Sequence, residues 1–146
     1  MLEIGVTKLE TLMKDCGLYK SKAKNLIATC QILVDRYHGE VPREFDQLVE
    51  LPGVGRKTAN VVVSVLFGTP AIAVDTHVFR VSNRLKLGIA KTPEEMEQKL
   101  QKAIPKKDWA AAHHWLIYHG RRVCKARKPL CNECFLNHLC PSAGKV

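Results

Sequence analysis

A chain of 146 residues, 46% of them hydrophobic, is long enough to bury a core without disulfides, as one domain or as two small lobes. Its formal net charge of +9 points to a polyanionic partner, because each Lys or Arg set on a phosphate releases counterions. No apolar run approaches the ~20 residues of a membrane span, and Met1-Leu2-Glu3-Ile4 lacks the basic start of a secretory leader, so a membrane protein is excluded and a cytoplasmic one expected.

The hydrophobic spacing predicts an all-α chain. A short amphipathic helix is expected over residues 6–16, with Leu9, Leu12 and Met13 on one side and Gly17 as its stop. Ser21 stands where a cap for the second helix belongs, and its apolar positions Ala23, Leu26, Ile27, Cys30, Leu33, Val34 and Tyr37 recur every three or four residues before Gly39. The stretch Gly17-Leu18-Tyr19-Lys20-Ser21-Lys22-Ala23 is taken as a packing turn. Pro42 fits the first turn of a third helix running to Leu51.

Leu51-Pro52-Gly53-Val54-Gly55-Arg56-Lys57-Thr58-Ala59-Asn60 then reads as helix, hairpin, helix. Two glycines around Val54 permit positive φ and close backbone approach, and the amides and positive dipole end of the following helix favour a phosphate. The plain alternative is an ordinary turn between packed helices. Residues 56–68 form a buried helix in this reading, and residues 69–74 are extended because Pro70 disfavours helix before it. Asp75 is the expected N-cap of the next helix. Thr92-Pro93-Glu94-Glu95 supplies a cap, a first-turn proline and a capping-box glutamate for a helix to residue 104, and Asp108 caps the last, through Trp109, Ala112, Trp115 and Leu116 to about Gly120.

Four of the six cysteines lie in the tail. Cys124, Cys131, Cys134 and Cys140 give C-x6-C-x2-C-x5-C, a loop able to wrap one metal centre with four thiolates. One short C-x2-C flanked by wider gaps suits an iron–sulfur cluster, with structural zinc the alternative; Cys16 and Cys30 read as core packing. Arg121, Arg122, Lys125, Arg127 and Lys128 surround the first ligand, and a metal-pinned basic loop makes a phosphate clamp.

Lys57 falls on the first turn after the hairpin, where the helix dipole and expected burial both disfavour an ammonium and would free the amine as a nucleophile. Asp75 could take a proton or stabilise positive charge on a sugar ring, or it could be only a cap.

Together the hairpin with Lys57, the run Val74-Asp75-Thr76-His77-Val78-Phe79-Arg80-Val81-Ser82-Asn83-Arg84, the stretch His113-His114-Trp115-Leu116-Ile117-Tyr118-His119-Gly120-Arg121 and the four cysteines resemble the endonuclease III family of helix-hairpin-helix DNA glycosylases across almost the whole chain. The resemblance implies a partial helical-barrel domain over residues 1–69, with the hairpin motif at about 44–67. A second helical domain follows over residues 70–146 with a [4Fe-4S] loop at 124–140, and DNA lies across the groove between them. It implies Lys57 as the amine that attacks C1′ of the damaged nucleotide, Asp75 as the assisting carboxylate, and Cys124, Cys131, Cys134 and Cys140 as cluster ligands. DNA contacts are implied for Leu51, Gly53, Val54, Gly55, Arg56, Thr76, His77, Arg80, Arg121, Lys125, Arg127 and Lys128.

The implied activity is base excision of oxidised pyrimidines from duplex DNA with AP lyase cleavage, by a monomer at the bacterial nucleoid without an obligate protein partner. A lysine at position 57 separates the chain from the similar adenine glycosylases. The competing reading is a non-catalytic duplex-DNA-binding module; a zinc-stabilised interaction domain ranks last. Family members carry further helices before the point where this chain begins, which would complete the barrel, extend the cluster domain and supply a polar residue to fill the gap left by a flipped base. An exposed apolar surface is therefore expected on the first two helices, around Leu9, Leu26 and Leu33.

Overall fold

Seven α-helices and four short 3-10 turns make up the regular structure of the computed structural model, which describes residues 1–146 and contains no strand. The chain divides into two compact units, Met1–Ala59 and Asn60–Val146. No helix is long and apolar enough to cross a membrane.

In the first unit, α1 (Gly5–Leu12) follows a 3-10 turn and packs on α2 (Tyr19–Tyr37). α2 begins two residues before Ser21, which is therefore inside the helix and not its cap; Leu18, with φ 59°, occupies the cap position without a side-chain bond. At the other end His38 and Gly39 both turn left-handed, and the Gly39 amide bonds Leu33 O at 2.8 Å, a Schellman-type closure. α3 (Phe45–Val49) is shorter than expected. Pro42 lies ahead of it, buried, and Glu44 takes the cap position. Leu9, Ala23, Leu48, Leu51 and Ala59 form the buried apolar set of this unit. The expected apolar surface is there at Leu12, Leu26 and Val34, all exposed, whereas Leu9 is buried and Leu33 half-buried.

α4 (Arg56–Phe67) runs across the division of the chain. It is not buried all round: Ala59, Asn60 and Val63 are inside, but Val65 is 67% and Leu66 59% exposed, so one face only is covered. The second unit is built on Ile72, Val74, Val78, Val81, Met96, Leu100, Ala112 and Leu116, contributed by the extended stretch 69–74 and by α5 (Thr76–Leu85), α6 (Pro93–Ala103) and α7 (Trp109–Arg122). Burying each of the larger side chains, all but Ala112, stabilises by about 1.5–3 kcal/mol. α5 and α7 approach closely at Gly120, where a Cβ would lie 3.0 Å from His77 Cβ and 3.1 Å from Val81 Cγ2. Two caps form as their residues dictate. Asp75 Oδ1 accepts the Val78 amide at 2.7 Å, and Thr92 Oγ1 accepts the Glu95 amide at 3.2 Å while Glu95 reaches back to the Lys91 amide at 2.9 Å. Asp108 makes no such bond, because it already belongs to the 3-10 turn Lys106–Asp108 that runs straight into α7.

Candidate functional site

The hairpin is held from behind by α2. Thr29 Oγ1 donates to Pro52 O at 3.0 Å, and Val54 N bonds Leu51 O at 3.0 Å to close the turn. Gly53 has φ +76°, and a Cβ there would fall 2.7 Å from Asn25 Nδ2, so glycine is required both by its φ and by the approach of α2. Gly55 differs from the expectation: its φ is not positive and the space around it is open. Its carbonyl accepts the Ala59 amide at 3.0 Å as the first bond of α4. The amides of Arg56, Lys57 and Thr58 thus stand on a first turn, where no intrahelical acceptor exists and an anion is favoured. Lys57 is exposed, so the burial expected around it is absent. Arg56 lies with its guanidinium 5.1 Å over the Phe45 ring. Leu51, expected at the DNA surface, is buried at the base of the hairpin.

In the second unit Asp75 is half-buried at the end of the fully buried run Ala71, Ile72, Ala73, Val74. Only one carboxylate oxygen is used by the cap. Thr76 beside it is exposed and His77 half-buried. Arg80 is not a free surface cation: its Nε and Nη2 donate to Cys124 O at 3.2 and 3.1 Å, its Nη2 to Gly120 O at 2.9 Å, and His77 Nδ1 lies 3.2 Å away. One turn on, Arg84 Nη1 donates to Lys125 O at 2.7 Å and Cys124 Sγ at 3.4 Å, and its Nη2 to Ala126 O at 3.2 Å. These two arginines fasten the basic loop from α5. Neither role is visible in the sequence, since donor and acceptor lie 40 or more residues apart.

The loop itself is closed at its neck by Leu130 N to Val123 O, 3.0 Å, with Lys128 in a left-handed turn at φ 52°. Lys125, Arg127 and Lys128 are exposed upon it, as is Arg121 at the end of α7. Cys124, Cys131, Cys134 and Cys140 are all free, half-buried thiols, and all four line a single cavity of about 30 Å³. No three His, Cys, Asp or Glu side chains converge on a point that would hold one metal ion. Four soft donors arranged around a space suit a multinuclear iron–sulfur group better than zinc. His119 lies alongside, its Nε2 3.8 Å from Cys134 Sγ and its ring edge-on to Phe135; burial holds its pKa below the usual histidine value.

Leu18 belongs to the stretch expected as a packing turn. It is 81% exposed and sits at φ 59°, a conformation a leucine adopts only at a cost of about 1–3 kcal/mol. In the sequence its one signal is the glycine before it, which makes Gly17-Leu18-Tyr19-Lys20-Ser21-Lys22-Ala23 a faint echo of the later hairpin.

Known proteins show the same combination. The profile of the HhH-GPD superfamily base excision DNA repair proteins matches residues 1–106, and that of the iron-sulfur binding domain of endonuclease III matches residues 124–140. Endonuclease III of Escherichia coli K12 is 52% identical over the whole chain, which spans 69% of that relative's length. Endonuclease III of Rickettsia conorii is 54% identical over 96% of the chain and 67% of its own length. Among solved structures, a trapped endonuclease III–DNA covalent intermediate superposes with a TM-score of 0.92 at 51% identity, covering 97% of this chain and 67% of that one. Hairpin, aspartate-capped helix and four-cysteine loop thus occur here in the order and fold of a family of iron–sulfur DNA glycosylases with AP lyase activity, and the chain belongs to it: the endonuclease III family of the HhH-GPD superfamily of base excision DNA repair proteins.

Proposed function

We propose that the chain removes oxidised pyrimidines from duplex DNA and cuts the strand at the resulting or pre-existing abasic site, with Lys57 as nucleophile and Asp75 as the assisting carboxylate. The observation that carries this reading is an exposed lysine on the first turn of α4, behind a glycine-dependent turn, in a chain 51% identical to an endonuclease III trapped covalently on DNA. A covalent intermediate needs a nucleophile, and an amine at C1′ leaves an imine where water would leave a hemiacetal. In this scheme Lys57 Nζ attacks C1′, the C1′–N bond breaks and the base departs with a proton. The sugar opens to a Schiff base, loss of a C2′ proton expels the 3′ phosphate, and water then releases the amine. Asp75, with one oxygen in the cap and one to spare, faces positive charge developing on the sugar.

The damaged base must leave the stack for this chemistry. Leu18, exposed and strained, has the apolar character of a wedge that enters the vacated space. The first-turn amides after Gly53 and Gly55, together with Arg56, Thr76, Arg121, Lys125, Arg127 and Lys128, hold phosphates. The four cysteinyl sulfurs hold the [4Fe-4S] cluster, which, when bound, pins the basic loop. The protein acts as a monomer at the bacterial nucleoid.

The substrate class is tested by single-turnover excision on otherwise identical duplexes carrying one oxidised pyrimidine, one oxidised purine or one mismatched thymine. Cleavage confined to the oxidised pyrimidine supports the reading. Preferential cleavage of either other duplex contradicts it.

A further inference from the structure

We propose that His113 is a positioning residue for Asp75, acting through the backbone of Ala73; the inference rests on the reading of Asp75 as the assisting carboxylate. His113 is the one polar side chain on the buried face of α7, between Ala112 and Leu116, and is only 6% exposed. Its Nδ1 lies 2.7 Å from Ala73 O, at the short end of the range for such bonds. A carbonyl only accepts, so the proton is on Nδ1. Ala73 belongs to the extended stretch 69–74, which has no strand partner to satisfy its carbonyls although Ala71, Ile72, Ala73 and Val74 are all buried. A buried carbonyl in such a segment takes its partner from a side chain, here His113. The bond sets the plane of the Ala73–Val74 peptide, and the next residue after Val74 is Asp75. The space beside this contact, lined by Asn60, Ala71, Ala73 and His113, is about 10 Å³, too small for any ligand, so the histidine acts on the chain itself.

A displacement of a reacting group by an ångström can cost on the order of 100-fold in rate while binding is untouched. Removing the His113 bond therefore slows chemistry and spares affinity. His113→Phe is expected to lower the single-turnover rate of base excision at least tenfold, with Kd for a duplex carrying a non-cleavable abasic analogue within twofold. His113→Asn, whose Nδ2 overlays the ring Nδ1, is expected within about threefold of the parent rate. Asp75→Asn supplies the decisive background: if His113 acts through Asp75, adding His113→Phe to it slows the reaction no further. His113→Gln, polar but with its amide displaced to the Nε2 position, serves should the phenylalanine variant not fold, and is expected to be slow. An unchanged rate in His113→Phe or His113→Gln beside a slow Asp75→Asn overturns the inference alone, as does additive slowing in the double variant. Asp75→Asn at the parent rate overturns the reading of Asp75 and the inference with it.

Discussion

A single backbone angle at Gly53 decides whether the hairpin exists. With φ +76° and Asn25 Nδ2 where a Cβ would go, Gly53→Ala is both strained and overpacked, and is expected to destabilise the protein by about 1–3 kcal/mol and to weaken duplex binding. Thermal unfolding and fluorescence anisotropy read the two effects. Gly55→Ala, at an ordinary φ in open space, is expected to be nearly neutral for stability. The two glycines look alike in the sequence; only the approach of α2 distinguishes them. Asp75 carries two roles that substitution can separate. Asparagine caps a helix as well as aspartate, so Asp75→Asn keeps the bond to the Val78 amide and leaves stability within about 0.5 kcal/mol, yet removes the charge and slows excision. Asp75→Ala loses both, at about 1 kcal/mol of stability. Leu18→Gly relieves the left-handed strain and removes the apolar side chain, and is expected to unfold at a higher temperature while excising more slowly.

Elements were legible where local chemistry sets them and obscure where tertiary packing does. Asp75 and Thr92 cap as read, because a cap is a bond between residues three apart. Ser21 and Asp108 have the right chemistry in the wrong place: α2 starts at Tyr19 from a left-handed Leu18, and a 3-10 turn carries Asp108 into α7. The four cysteines were legible as one site from spacing alone. The clamp on their loop was not. Arg80 is expected at DNA, yet it and Arg84, which carries no such expectation, commit their guanidiniums to Gly120 O, Cys124 O, Lys125 O and Ala126 O, bonds that span 40 to 44 residues. Arg84→Ala is accordingly expected to loosen the loop, while Lys125→Ala or Arg127→Ala, both exposed, removes one phosphate contact each. The salt dependence of duplex binding distinguishes them: each lysine or arginine variant on the loop lowers the slope by about one, without loss of thermal stability.

For the whole molecule, family and chemistry were written in four separated motifs, but the distribution of burial was not. Removal of the cluster by oxidation is expected to release the loop 124–140 and lower duplex affinity while far-UV circular dichroism stays close to that of the parent. The core of the second unit is made by Ile72, Val78, Val81, Met96, Leu100 and Leu116 and draws none of these residues from the loop. Of Leu9, Leu26 and Leu33, around which an exposed apolar surface on the first two helices is expected from resemblance, Leu26 is exposed, Leu33 is half-buried and Leu9 is buried by α1, α2 and their neighbours, while Leu12 and Val34 add to the exposed surface.

The proposed chemistry turns on a covalent bond between Lys57 and DNA. Incubation of the purified chain with a duplex containing one abasic site, followed by borohydride, converts a Schiff base to a stable amine that survives a denaturing gel. A protein–DNA adduct is expected with the parent chain and none with Lys57→Ala, although the variant still binds the duplex. An adduct that persists in Lys57→Ala, or a parent chain that binds the duplex and forms none, would contradict it.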